Sequence, residues 1–212
     1  MNAREKILAR ISEANRKPDQ AALSHHLERH PRGPRPLAFD DLKKRFIERA
    51  LKLSSDLIET DELTHAPKLV ADYLQQKSLP MKGVCWPNLS HLPWMNAGLD
   101  IEARAAGNDD MVGITGAFCA IAETGTLLLL GGEKTPASIS LLPETHVAIV
   151  DPQRIVATME DAWDLLRREF GAPPRTVNFI SGPSRTADIE QTVTLGAHGP
   201  YRVLLVLAPS PR

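Results

Sequence analysis

The chain has 212 residues, 42% hydrophobic and 24% charged, with 17 prolines, which is the make-up of a soluble globular protein rich in turns. One sizeable core is expected at this length, and a formal net charge of −1 leaves no global field to gather nucleic acid or an acidic membrane. No apolar run approaches the roughly 18 to 20 residues that span a bilayer, and the opening MNAREKILARIS has no hydrophobic signal core, so no membrane span and a cytoplasmic location are expected. The two cysteines, Cys85 and Cys119, lie far apart in the sequence. An iron–sulfur cluster or structural zinc site needs about four ligands, so no cofactor of that kind is expected in this chain, and any such cluster is assigned to a partner.

Residues 1–37 carry eight Lys or Arg against four acids, a formal +4 that leaves −5 on the remainder. Ile7, Leu8, Ile11 and Ala14 fall at helical spacing and predict an amphipathic helix from about Ala3 to Asn15, broken at Lys17-Pro18. A second helix is expected over Gln20 to Arg29, then a loop from His30 to Pro36. The pair begins like a helix-turn-helix, but HPRGPRP stands where a recognition helix would have to follow. His25, His26 and His30 have no nearby carboxylate or thiol to complete a metal shell and are read as solvated surface. This basic arm is set apart from a main domain over 38–212.

Asp40 or Asp41 is the expected cap of a helix running to about Ser54, with Leu42, Phe46, Ala50 and Leu53 on one face. A strand at Asp56 to Glu59, a helix over Glu62 to Lys77 and a strand at Gly83 to Trp86 follow, a spacing that implies parallel pairing of the two strands. A loop then leads from Trp86-Pro87 to Trp94, and Leu99 to Ala103 is a further strand. The densest run of small and apolar residues is Val112 to Gly132, where Gly116 to Ala122 reads as a buried strand and Thr126 to Leu130 as a second apolar run. Farther on, His146 to Val150 is a buried strand ending at Asp151-Pro152. Val156, Met159, Trp163, Leu166 and Phe170 mark a helix stopped by Gly171-Ala-Pro-Pro174. Val177 to Ile180 and Tyr201 to Leu207 complete the strands.

Chemistry concentrates at two polar corners. Between two buried segments sits Glu123-Thr124-Gly125. Partial desolvation of the Glu123 carboxylate would raise its pKa and suit it to act as acid, base or nucleophile, against the ordinary reading of a solvated turn residue. The second corner, Ser181 to Thr186, is expected to lead into a short helix near Ala187. Ser181, Gly182, Ser184, Arg185 and Thr186 would then offer hydroxyls, backbone N–H groups and a guanidinium to a small carboxylate or phosphate, or else simply cap the helix. His146 and His198, the latter in Gly196-Ala-His-Gly-Pro200, are lone histidines, more often structural than ligand-binding. No dinucleotide fingerprint, P-loop or G-x-S-x-G elbow is present. Thr124, Gly125 and His198 are counted with the second corner as candidate ligand-binding residues, and if the two corners share one site, they must reach the same rim of the sheet.

Taken together, GITGAFCAIAETGT at Gly113 to Thr126, SLLP at Ser140 to Pro143, FISGPSRTADIEQ at Phe179 to Gln191 and GAHGP at Gly196 to Pro200 resemble the LutC/YkgG family, lactate utilisation protein C-like proteins built on the LUD domain. The resemblance implies an α/β fold of the NagB/RpiA/CoA-transferase kind, with a mostly parallel sheet flanked by helices. It also implies an accessory role in oxidising L-lactate to pyruvate alongside iron–sulfur partner proteins. In CoA transferases of similar fold a glutamate attacks the acyl group, which makes Glu123 an analogue and leaves an independent acyl or CoA transferase, or a metabolite-sensing module, as alternatives. The sequence departs from the family pattern at Ala117-Phe118, where many members carry an acid, and at Gly131 to Thr135, where a longer glycine-rich basic segment is usual.

Overall fold

The computed structural model describes residues 2–14, 21, 25, 38–189, 192–196 and 198–209. The chain divides into two compact units, Met1–Arg35 and Pro36–Arg212. The first contains α1, Ala3–Ala14. Its start is fixed by a reciprocal cap in which Glu5 N donates to Asn2 Oδ1 (2.8 Å) and Asn2 N donates to Glu5 Oε2 (2.9 Å). Ile7, Leu8 and Ile11 are each more than half exposed. The helix expected over Gln20 to Arg29 and the loop to Pro36 lie outside the described residues, apart from Ala21 and His25.

The second unit is built on a six-stranded, wholly parallel sheet. In chain order its strands are β1 (Asp56–Glu59), β2 (Lys82–Cys85), β3 (Asp100–Glu102), β4 (Val112–Gly116), β7 (Thr145–Val150) and β12 (Arg202–Leu207). In space the order is β1-β12-β7-β4-β2-β3. The sequence THVAIV of β7 is buried at every position, which is the signature of a central parallel strand covered on both faces. A smaller sheet follows the order β8-β5-β6-β9, from β5 (Cys119–Ile121), β6 (Thr126–Gly131), β8 (Ile155–Val156) and β9 (Thr176–Ile180). A hairpin, β10 (Arg185–Ile189) with β11 (Thr192–Leu195), stands beside them.

Period-two alternation explains how the smaller sheet joins two cores. Ala120, Ala122, Leu127 and Leu129 pack into the main core with the large sheet, whereas Cys119, Ile121 and Leu128 turn toward Ala162 and Leu166 of α5 (Met159–Phe170). Trp163 of α5 meets Phe179 of β9 with ring centroids 5.5 Å apart. Helix α5 opens with a full capping box: Asp161 N donates to Thr158 Oγ1 while Thr158 N donates to Asp161 Oδ2. Asp41 caps α2 (Leu42–Lys52) by accepting from Lys44 N (2.9 Å), and Phe46 and Ala50 form its buried stripe. Helix α3 (Ala66–Gln76) is tied to β1 by Tyr73 Oη, which donates to Asp56 Oδ2 (2.7 Å). The single turn α4, Ser138–Leu141, lies so close over β4 that a Cβ on Gly113 would sit 2.1 Å from Ile139 O. No helix among the described residues is long and apolar enough to cross a membrane.

A mostly parallel sheet flanked by helices is the architecture expected. Three local expectations are corrected. The strands β1 and β2 share a sheet but do not pair, because β12, β7 and β4 lie between them. The segment Gly116 to Ala122 is not one strand: the chain leaves the large sheet at Gly116 and re-enters the small one at Cys119. No helix starts near Ala187; Arg185–Ile189 is β10, paired antiparallel with β11.

Candidate functional site

The two polar corners meet, and they meet on the C-terminal end of α2. Thr124 Oγ1 donates to Thr126 Oγ1 (2.8 Å), and Thr126 Oγ1 shares a hydrogen bond with Ser181 Oγ (2.7 Å). Gly125 has φ +73°, and a Cβ there would lie 2.6 Å from Ala50 N; Gly182 has φ +75°, and its Cβ would lie 2.5 Å from Leu53 O. Only glycine tolerates both the left-handed backbone and the approach of the helix. Arg49 Nε donates to Glu123 O (3.1 Å), while Arg185 Nη2 donates to Leu53 O (3.3 Å) and to Ser54 Oγ. Arg185 thus sets a cation on the carbonyl end of a helix, where the macrodipole favours it. Gly125 and Gly182 are thus packed against α2 itself, while Thr124, Ser181 and Arg185 stay exposed beside it. With β10 in place of a helix, the corner also lacks the polarised N-terminus that an anion would use.

Ser184 ties the second corner to GAHGP: its N–H donates to Pro200 O (2.9 Å) and its carbonyl accepts from Gly196 N (2.9 Å). Thr186 stands in β10 opposite Thr194. His198 is exposed beside a shallow cleft it shares with Leu141, Leu142 and Arg202. His146 is fully buried; its Nε2 is 2.8 Å from Thr115 Oγ1, its Nδ1 has no hydrogen-bond partner among the described residues, and burial pushes its pKa down to about 4. Burial likewise pushes the thiols of Cys85 and Cys119 up, to about 11 and about 12. Among the described residues no group of three or more His, Cys, Asp or Glu is placed to hold a metal ion.

The cavity that the fold itself creates is elsewhere. From β2 the sheet grows one way, to β3, and from β4 it grows the other way, to β7. Ligands of open α/β sheets bind where the order reverses, beyond the carboxyl ends of the strands. A cleft of 580 Å³ lies there. Trp86, Asn88 and Leu89 enter it from the loop after β2, Gly116 to Phe118 from the end of β4, and Ile149, Asp151 and Arg154 from the end of β7. Glu169 and Phe170, from the last turn of α5, and the Gly131 to Thr135 turn close its sides. Both stretches where the sequence departs from the family pattern therefore line it.

Its walls are held by a compact network. Arg154 Nε donates to Phe118 O, and Nη1 and Nη2 grip Glu169 Oε1 and Oε2 at 3.2 and 2.9 Å. The guanidinium lies 4.7 Å from the centre of the Phe118 ring, which also meets Phe170 edge-on at 5.8 Å. Trp86 Nε1 donates to Pro136 O (3.2 Å), fixing the indole. Asp151 Oδ1 accepts from Gln153 N (2.9 Å) and begins the short turn that carries Arg154. Sequence reasoning missed Asp151, Arg154 and Trp86 as site residues. The available signal was the pair Trp86-Pro87 and Asp151-Pro152, each marking the carboxyl end of a strand in a parallel sheet.

Residues 87–208 match the family model of the LUD domain. Lactate utilization protein C of Bacillus subtilis is 29% identical over 188 residues, spanning 79% of this chain and 78% of that protein. The protein of the same name from Bacillus velezensis is 38% identical over 99 residues, 45% of this chain and 41% of that one. The fold is shared with a duf162 family protein from Deinococcus radiodurans, with a TM-score of 0.59 and 21% identity, covering 82% of this chain and 99% of that one. The match to the family model takes in most of the large sheet, all of the small one and much of the cleft, and the chain belongs to the LUD domain family.

Proposed function

We propose that this chain is an accessory component of L-lactate utilisation, acting with iron–sulfur partner proteins in the oxidation of L-lactate to pyruvate. The observation that carries this reading is the kinship with lactate utilization protein C of Bacillus subtilis over most of both chains. The division of labour is supported by the cysteines: cluster ligation needs several accessible thiolates, and Cys85 and Cys119 are both sealed in the core. In this reading the chain contributes the cleft at the β2/β4 reversal, and the partners contribute the redox clusters.

The test is co-purification of the tagged chain from cells growing on L-lactate, followed by lactate oxidation by the partners with and without it. Iron–sulfur proteins in the eluate, and a rate that depends on the chain, are the expected results. Equal oxidation without the chain would overturn the reading. The competing reading, acyl transfer through Glu123, rests on a carboxylate that is not among the cleft's lining residues; hydroxylamine trapping of an acyl adduct at Glu123 would favour it over the first. A metabolite-sensing role would instead show as a thermal shift with small carboxylates or phosphates and no dependence of lactate oxidation on the chain.

A further inference from the structure

Resting on the assignment of the β2/β4 cleft as the functional site, we infer that its occupant is an uncharged, flat ring compound of the quinone class, and not the hydroxy acid. Size is the first argument. A volume of 580 Å³ lies within the range of about 300 to 1,000 Å³ that suits ligands of drug size, and it dwarfs a hydroxy acid of a few atoms. Charge is the second. The three charged side chains on the wall, Asp151, Arg154 and Glu169, sum to −1. All three nitrogens of the one cation are engaged, by Phe118 O and by both oxygens of Glu169. A carboxylate or phosphate would meet a net negative wall whose one cation is already paired with Glu169, and like charge at close range in a half-enclosed site is unfavourable.

The third argument is the kind of apolar surface on offer. Phe170 leaves 58% of its surface exposed although its edge contact with Phe118 holds it in place. Phe118, held between Arg154 and Phe170, lines the same wall, whereas Trp86, locked by its bond to Pro136 O, is itself almost wholly buried. Positioned aromatic rings favour a flat partner that stacks, with offset or edge contacts adding to the burial of area. Asn88 and Thr135 supply neutral hydrogen-bonding groups of the kind that orient a ring carbonyl. The chemistry of the proposed pathway agrees. A hydroxy acid oxidised to its keto acid gives up two electrons and two protons, and a quinone takes up both to become the quinol.

The experiment uses the full chain with two anthraquinones that do not alkylate thiols, neutral hydroxymethylanthraquinone and anionic anthraquinone sulfonate. Binding is followed by tryptophan quenching and by calorimetry. The neutral ring is expected to bind saturably with one site per chain, the sulfonate at least about ten-fold more weakly, and L-lactate not at all. Phe170→Ala, at an exposed position outside the core, should weaken the neutral ring about ten-fold with the melting curve unchanged. Asp151→Asn should narrow the gap between the two rings. Absence of saturable binding by the neutral ring, equal affinity for the sulfonate, or indifference to Phe170→Ala would each overturn the inference. Failure here, with lactate oxidation still dependent on the chain, would leave the proposed function standing. Ring binding without any effect of the chain on lactate oxidation would do the reverse.

Discussion

Replacing Gly125 with alanine tests whether the first polar corner is a structural seam. A side chain in the left-handed region costs about 1 to 2 kcal/mol by itself. At Gly125 the added Cβ would also sit 2.6 Å from Ala50 N and 2.7 Å from Arg49 C, main-chain atoms of α2 that cannot rotate away. Overpacking of that kind adds about 1 to 3 kcal/mol, for a total near 3 kcal/mol. In a domain of this size that corresponds to a fall in Tm of about 6 to 12 °C. Gly98 is the control, because its φ is +77° but a Cβ there would meet nothing within 4 Å. Gly98→Ala should therefore cost only the backbone contribution, about 1 to 2 kcal/mol. Urea unfolding of the two variants beside the parent reads the difference directly. Equal losses would show that α2 does not press on this turn, and the account of Gly125 as packed against the helix would be wrong.

Burial holds His146 neutral, with a pKa of about 4 against 6.5 for the free side chain. The folded pKa lies below the unfolded one, so stability is unaffected above about pH 6.5 and falls by about 3 kcal/mol in all as the pH drops to about 4. Stability measured across that window should decline in the parent and flatten in His146→Gln. Thr158→Ala removes the capping box of α5 and should cost about 1 kcal/mol with the urea m-value unchanged. Arg154→Gln loses both contacts to Glu169 and the bond to Phe118 O. Because that side chain is one-third exposed, solvent screening limits the expected loss to about 1 to 2 kcal/mol in thermal or urea unfolding.

Where one physical signal dominated, the sequence was legible. Helix α5 announced itself because its apolar residues repeat at three and four and Gly171 marks its end, and β7 because a run buried on both faces needs no alternation. The meeting of the two corners was only posed, as the condition for a shared site; no local pattern dictated it. Nor does any local pattern show that α2 packs against Gly125 and Gly182 there. Ser-Arg-Thr-Ala-Asp-Ile-Glu carries a capping hydroxyl and early acids and so mimics a helix start; its partner in β11 decides otherwise. The corner at Ala117-Phe118 was hidden inside a run of small apolar residues, where neither period is visible. The cleft was least legible of all, because its walls come from Trp86, Phe118, Arg154 and Phe170, which only the crossover connections bring together.

The position of β12 has a consequence for how the chain is made. It is the last of the described strands and lies between β1, the earliest, and β7. While the polypeptide is emerging from the ribosome, β1 has no neighbour to bond with, and one flank of β7 stays bare until β12 has been synthesised. Contacts so distant along the chain slow folding, and unsatisfied strand edges invite association in the meantime. Nascent chains halted before β12 should therefore be the species that chaperones retain, and release should coincide with the arrival of Arg202 to Leu207.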